Sequence, residues 1–235
     1  CHGWCHNHAI TDPSCPANVA FRAALEGWRE IYPNLCMYEY YFKVAALELP
    51  FPIIHAMRQD IPWLRDFGLL GIYTQFKAGN VWTIGLNYYV AAKLLWNPDL
   101  DVAALVADYC QNLYGPAAQP MTEYWEAYEE AAISSGVHLS AEYADLRRVF
   151  TPELIAAQHR RLERARELAD DAAVRERVRR AEVVLGYVEV CMDYVDALLA
   201  QVRAEGQGRW VQRGGPAPGL QARAEAVLDY LRQHA

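Results

Sequence analysis

Two short runs of β-forming residues, each followed by a helical pattern, constrain the fold of this chain more than any other feature. The first run covers residues 35–42 and the second covers residues 69–75. The first run alternates little between apolar and polar residues, which is typical of a strand covered on both faces. Helical patterns at Asp60–Phe67 and Asn87–Trp96 follow the two runs. The order strand, helix, strand, helix predicts parallel pairing, because each helix returns the chain to the same end of the sheet.

Several residues predict where helices begin and end. Asn18 is expected to cap a helix over residues 19–30, and Asp60 to cap the next helix with Pro62 in its first turn. Gly68 is a candidate left-handed stop. Asp101 is expected to cap a further helix, and Thr151 precedes a proline at a first helical position.

The number of βα units indicates whether this chain contains all the strands of its sheet. Two strands and a third candidate at residues 3–10 are too few to close a barrel or to cover both faces of a sheet. The chain starts at Cys1, with no basic or apolar leader before it. A mature form, an expressed portion and a fragment all fit this start; we favour a fragment whose earlier strands lie upstream.

The C-terminal third has a different pattern. Residues 151–235 are predicted to be helical almost throughout. Apolar residues recur at intervals of three or four from Val174 to Leu199, which indicates one long buried stripe. We therefore expect a helical bundle that packs against the α/β part.

Composition excludes several classes of protein. Hydrophobic residues make up 53% of the chain, which excludes a disordered scaffold. The net charge is −7, whereas phosphate neutralisation in nucleic-acid binding needs a basic face. No stretch approaches the roughly 18 apolar residues of a membrane span. The motifs of P-loop, dinucleotide-binding, serine hydrolase and zincin sites are absent from the sequence. We predict no cofactor.

A carboxylate among phenols marks the end of the first predicted strand. Tyr38, Glu39 and Tyr40 lie there, and Gln75 follows the second strand. Ligands of parallel α/β folds bind at the carboxyl ends of strands, so Glu39 is a candidate acid, base or sugar-binding group. A Glu satisfied by an Arg or a backbone amide, and a Gln that anchors a loop, are the open alternatives. Trp82 is a candidate stacking platform, although a packed Trp is the commoner outcome.

The N-terminal segment is rich in metal-binding residue types, namely Cys1, Cys5, His6, His8 and Cys15. Their spacing matches no standard zinc pattern with two close pairs. We favour thiols buried as small hydrophobes and histidines at a strand end, and predict no metal. A structural metal and a Cys5–Cys15 disulfide are the less favoured alternatives.

The chain also resembles a known family over about residues 1–130, namely the domain of unknown function 4838, which overlaps glycoside hydrolase family 163. The resemblance rests on His8, on Trp28, on Phe51-Pro52 and on the stretches DPSCPAN at 12–18, MYEYY at 37–41, GIYTQ at 71–75, YVAAKLLWNPDLD at 89–101 and YGPAA at 114–118. The stretches at 93–101 and 114–118 are the most specific.

The resemblance implies a (β/α)8 barrel and glycosidase chemistry. Characterised relatives are endo-β-N-acetylglucosaminidases, and such enzymes commonly let the substrate's own acetamido group attack the anomeric carbon. In related barrels the catalytic carboxylates sit on middle strands, so that pair is expected outside this chain. Family members often have an acidic residue near Thr74. The remaining sugar-binding wall would comprise His8, Tyr38, Glu39, Tyr40, Gln75 and Trp82.

Taken together, the sequence predicts an α/β fold. Residues 1–130 would form the C-terminal portion of a (β/α)8 barrel, and residues 131–235 an all-α helical domain. The expected function is that of a glycoside hydrolase-like fragment that acts on glycans containing N-acetylhexosamine, with Glu39 as catalytic candidate. Its partners would be the carbohydrate and the missing N-terminal barrel segment. A noncatalytic carbohydrate-binding barrel relative and a purely structural helical domain are the alternatives.

Overall fold

A computed structural model describes residues 4–42, 49–76, 81–138, 143–204, 210–212 and 219–234, and helices dominate it. The helices are α1 (Pro16–Ile31), α2 (Ile54–Phe67), α3 (Val81–Trp96), α4 (Val102–Tyr114), α5 (Ala118–Ser135), α6 (Tyr143–Val149), α7 (Pro152–Leu168), α8 (Ala172–Gln201) and α9 (Leu220–His234). A 3₁₀ turn (Gly115–Ala117) joins α4 to α5. The strands are short: β1 (Cys36–Glu39), β2 (Gly71–Thr74), β3 (Val202–Ala204) and β4 (Trp210–Gln212).

The predicted parallel pairing is confirmed. Strands β1 and β2 pair in parallel, with Cys36 opposite Gly71 and Glu39 opposite Thr74. Helix α2 connects them, as a crossover between parallel strands requires. Strands β3 and β4 form a separate antiparallel pair. The architecture of the described residues is therefore helix-rich with one parallel strand pair, and the larger barrel stays a prediction.

Three of the predicted helix signals are confirmed. The Asp101 carboxylate accepts a hydrogen bond from the amide of Ala103 at 2.9 Å. The Thr151 hydroxyl accepts from the amide of Leu154 at 3.2 Å. Gly68 ends α2 in the left-handed region, with φ at 89°. These signals involve residues close in sequence, so the local pattern was sufficient to identify them.

Three local expectations were wrong. Helix α1 begins at Pro16, so Asn18 lies inside it, and its buried side chain bonds the backbone of residues 5–9 instead. Helix α2 begins at Ile54 and contains Pro62, which removes one backbone donor without ending the helix. Asp60 is therefore not a cap. Residues 4–10 form turns and not a strand.

The main hydrophobic cluster runs through most of the chain. It joins buried residues from Tyr41 in the α/β part to Val195 in α8. A smaller cluster packs Trp4 and Ile10 of the N-terminal segment against Met37 and Leu64. Helix α5 runs across residue 130, and the predicted domain division at that position stays a prediction.

Within the described residues, no helix combines the length and apolar character that a membrane crossing needs.

Candidate functional site

Glu39 ends β1 and is buried, at 3% exposure. Its Oε1 accepts a hydrogen bond from the amide of Tyr40 at 2.6 Å and lies 2.6 Å from Nε2 of His6. Because a carboxylate only accepts, His6 donates this bond. The pair borders a cavity of about 20 Å³, room for a water molecule, which Tyr41 and Asp60 also line. Histidine and backbone together therefore hold the carboxylate in one position.

Asp60 is a second carboxyl group at this cavity, whereas from the sequence it was expected only to cap a helix. The amide of Ile10 donates to its Oδ1 at 2.7 Å. Burial raises the pKa of Asp60 to about 7, the Ile10 bond opposes this shift, and the charge of Glu39 adds to it. The available signal was a carboxylate on an apolar helix face, since Met57 and Leu64 are buried one turn to either side.

A group of tyrosines occupies the other face of the strand pair, as strand alternation requires. The parallel register sets Tyr38 opposite Tyr73, and their rings stack with centroids 5.1 Å apart. Tyr40 meets Tyr38 edge-on, also at 5.1 Å. Tyr73 is 66% exposed. We call Tyr38, Tyr40 and Tyr73 the tyrosine ledge. It offers ring faces and hydroxyl groups on one surface.

The remaining predicted site residues are distributed differently. Gln75 is exposed just after β2, and its backbone carbonyl accepts a hydrogen bond from the hydroxyl of Tyr88. Trp82 lies at the start of α3, and the guanidinium of Arg180 on α8 is 6.0 Å from its ring centroid. His8 lies among cysteines, away from Glu39 in its contacts. The structure thus brings Tyr38 and Tyr40 together, with Glu39 on the opposite face of the same strand end, whereas His8 and Trp82 contact other groups. Their roles with a sugar stay predictions.

The cysteine- and histidine-rich segment forms a compact cluster with a distant residue. Cys5, His8, Cys15 and His138 each offer one ligand atom, and these atoms all lie within 4.8 Å of one another. Burial and the charge of His138 lower the pKa of His8, which favours its neutral, ligand-competent form. The two cysteines are buried, as expected, and are not joined as a disulfide. Cys1 lies outside the described residues.

A groove of about 250 Å³ lies beside α2, α4 and α5. At its wall, Nδ1 of His55 lies 3.0 Å from Oε1 of Glu129, and this oxygen also accepts from the backbone amide of His55 at 2.7 Å. Trp125 and Glu126 line the groove as well. None of these residues was assigned to a site from the sequence, because they come from helices far apart in the chain.

Comparison with known proteins gives one match. No curated protein and no solved structure matches the chain significantly. A family model described as a domain of unknown function (DUF4838) matches residues 4–127. This range contains Glu39, Asp60 and the tyrosine ledge, together with three members of the cysteine–histidine cluster. Because the match covers more than half of the 235 residues, the chain belongs to the domain of unknown function 4838 family.

Proposed function

We propose that this chain is part of a glycoside hydrolase-like protein that binds glycans containing N-acetylhexosamine and hydrolyses their O-glycosyl bonds. The observation that carries the proposal is the tyrosine ledge at the ends of β1 and β2, with Glu39 buried on the opposite face of the same strand end. The resemblance to glycoside hydrolase family 163 supplies the substrate class.

The tyrosine ledge suits a sugar for physical reasons. A pyranose presents apolar C–H faces and a rim of hydroxyl groups, and a tyrosine presents an apolar ring and a polar tip. Tyr73 leaves most of its surface to solvent, and its stacking on Tyr38 restricts its motion. A preoriented ring loses less conformational entropy on binding than a mobile one. The ledge would therefore support the sugar while hydrogen bonds select its hydroxyl pattern.

Glu39 is the candidate catalytic carboxylate of this chain. His6 and the Tyr40 amide fix its orientation, as enzymes do for groups that must meet a substrate in one geometry. The neighbouring Asp60, with its pKa raised to about 7, provides a group that can hold a proton next to Glu39 near neutral pH. The acid/base pair that cleaves the bond is proposed to lie on earlier strands of the same protein.

The proposed barrel explains the exposed side of the strand pair. An isolated sheet of two parallel strands is not expected to be stable, since such sheets are normally covered and extended. Here Leu70 is 67% exposed and Phe76 is 51% exposed at the two ends of β2. We propose that further strands of the same protein pair alongside β1 and β2 and complete a (β/α)8 barrel. Residues 131–235 would then be an appended helical domain.

One observation favours a second candidate function. The side chain of Glu39 is almost fully buried, and its Oε1 already has two donors. A carboxylate so enclosed suits the support of a binding surface better than attack on a sugar. The second candidate is therefore a noncatalytic carbohydrate-binding relative of the barrel glycosidases, in which the tyrosine ledge binds and no bond is cleaved.

The test combines a glycan array with a hydrolysis assay on the protein that contains this chain. We expect binding to glycans with N-acetylhexosamine, a loss of about tenfold or more in affinity for Tyr73→Ala, and no change for the exposed control Tyr32→Ala. In the hydrolysis assay, Glu39→Gln should lower turnover by at least about tenfold.

The outcomes separate the candidates. Binding without hydrolysis would establish the noncatalytic relative. Hydrolysis that Glu39→Gln leaves unchanged would remove Glu39 from the site. If the protein binds no glycan, and Tyr40→Ala and Trp82→Ala change no measured binding, a purely structural domain would be favoured.

A further inference from the structure

Four side chains from three separate stretches of the chain meet at the cysteine–histidine cluster. Cys5 and His8 come from the N-terminal turns, Cys15 precedes α1, and His138 follows α5. Sγ of Cys5 lies 3.3 Å from Nδ1 of His8, and Sγ of Cys15 lies 3.4 Å from Nδ1 of His138. The two imidazole rings stack with centroids 4.5 Å apart. Two thiols and two imidazoles thus face a common centre.

We propose that Cys5, His8, Cys15 and His138 bind one Zn²⁺ ion in a closed structural site. The proposal concerns a group of atoms apart from Glu39 and the tyrosine ledge, and it does not depend on the glycosidase proposal.

The distances fit a tetrahedral ion. With Zn–S near 2.3 Å and Zn–N near 2.0–2.1 Å, neighbouring ligand atoms of a tetrahedron lie about 3.3–3.8 Å apart. The two measured sulfur–nitrogen separations are close to this range, and the remaining pairs stay within 4.8 Å. Small movements of side chains would therefore complete the coordination.

The ligand types select the metal. Thiolate with imidazole suits Zn²⁺, whereas Mg²⁺ and Ca²⁺ require oxygen ligands. Four protein ligands would fill a tetrahedral shell and leave no position for substrate, which indicates a structural role. The sulfurs are on the buried side and His138 is exposed, so an ion can enter from the solvent side.

The loop that carries two of the ligands is held in place before any ion binds. The side-chain amide of Asn18 donates to the carbonyls of Cys5, His8 and Ala9 at 2.9–3.0 Å. Its Oδ1 accepts from the amide of Cys5 at 2.6 Å. Four hydrogen bonds from one buried side chain fix the curve of this loop, as metal sites need from their surroundings.

A second anchor ties the same loop to the region of the fourth ligand. The side-chain nitrogen Nδ2 of Asn7 donates to the carbonyl of Ala132 at 2.8 Å and to that of Val137 at 3.0 Å. Val137 is the residue before His138. The ion would therefore join parts of the chain that are 123 residues apart in sequence, and its release should loosen the N-terminal segment.

The first experiment measures metal content and coordination in the whole chain. We expect one equivalent of zinc by mass spectrometry of the purified protein. After chelation, Co²⁺ should produce the intense visible bands of a tetrahedral thiolate site. Zn²⁺ added to the cobalt-loaded protein should abolish these bands, and Zn²⁺ added to the stripped protein should raise Tm by about 5–10 °C.

Matched variants assign the ligands. His138→Ala, at the exposed end of the site, and Cys15→Ser should each lose the cobalt bands and the rise in Tm. The controls are the exposed residues Cys36 and His159, as Cys36→Ser and His159→Ala, which should retain both. Circular dichroism checks that His138→Ala remains folded, so this variant carries the test if Cys15→Ser does not fold.

Three results would overturn the proposal. These are a purified chain that holds no zinc and gives no tetrahedral cobalt spectrum, metal binding that survives both ligand variants, and a Cys5–Cys15 disulfide in the protein isolated under reducing conditions. None of these results bears on glycan binding, so the two proposals fail separately.

Discussion

At the scale of single residues, Asp60 should make stability depend on pH. Its pKa is raised from 3.8 to about 7 in the folded chain, mainly by burial. Between these values the folded state binds more protons than the unfolded state, so the free energy of unfolding falls as pH rises from about 4 to about 7. We expect Asp60→Asn to remove this fall and to raise stability at pH 8 by about 2–4 kcal/mol. Urea unfolding at a series of pH values measures both effects.

The exposed carboxylate of Asp229 provides the control for Asp60. Asp229→Asn removes a carboxylate that pairs with Arg232 on the surface of α9, where a charge costs little desolvation. In this variant the free energy of unfolding should fall with pH between about pH 4 and pH 7 as steeply as it does in the wild-type protein. If Asp60→Asn and the wild-type chain lose stability equally between pH 4 and pH 7, Asp60 is ionised without penalty and the cavity is wetter than its lining indicates.

The residues of the candidate site differ in how far sequence could predict them. Glu39, Tyr38 and Tyr40 could be proposed together because they end one strand, and strand ends are where parallel folds place ligands. His138 could not be predicted, since its nearest partner in sequence, Cys15, lies 123 residues away and no local spacing connects them. Asn18 has the right chemistry for a helix cap, but Pro16 starts the helix earlier and frees its side chain for the Cys5–Ala9 loop. Contacts between residues distant in sequence thus determine the roles that the sequence did not predict.

At the scale of elements, helix boundaries set by local hydrogen bonds were predictable, and those set by tertiary burial were not. Local hydrogen bonds that span three residues or fewer define the C-terminus of α2 at Gly68 and the N-termini of α4 and α7 at Asp101 and Thr151. The start of α2 at Ile54 depends instead on the burial of its first turns, where Ile54, Ala56 and Met57 enter the core. Burial in the core offsets the free-energy cost of Pro62 inside the helix. A local sequence pattern does not indicate such burial.

The contact between α8 and α9 yields a prediction at this scale. The ring of Tyr230 lies against Gly186, where a Cβ atom would collide with its hydroxyl group, and that hydroxyl donates to the carbonyl of Val183 at 2.8 Å. We expect Gly186→Ala to lower stability by about 1 kcal/mol, because the displaced Tyr230 loses this bond. In a Tyr230→Ala background the same change should instead raise stability by about 0.5–1 kcal/mol, because alanine favours helix over glycine.

A double-mutant cycle by thermal or urea unfolding tests this reversal of sign. Equal effects of Gly186→Ala in both backgrounds would mean that α9 does not pack on α8 through Tyr230. The cycle also reports on how α9 is held, since α9 has no fully buried residue among those described and depends on such contacts.

At the scale of the whole molecule, the hydrophobic core and the strand pair differ in how well they are covered. One cluster of buried side chains connects the α/β part to α8, so the helical part and the α/β part stabilise each other. Among the residues that the structure describes, the parallel pair lacks such cover on the side of β2, where Leu70, Tyr73 and Phe76 are exposed. This contrast is what the proposed barrel accounts for, because added strands would cover the surface that the helices leave open.

The exposed side of β2 should therefore make the 235-residue chain associate when it is produced alone. Unpaired strand edges and exposed apolar side chains promote self-association, so we expect concentration-dependent oligomers and binding of a hydrophobic dye. Leu70→Lys should reduce both, because a charge at a strand edge opposes pairing, whereas Leu228→Lys on the exposed face of α9 should not. Analytical ultracentrifugation and dye fluorescence measure the two effects. A chain that stays monomeric, binds no dye and melts cooperatively would show that two parallel strands suffice here, and the barrel proposal would then lose its structural support.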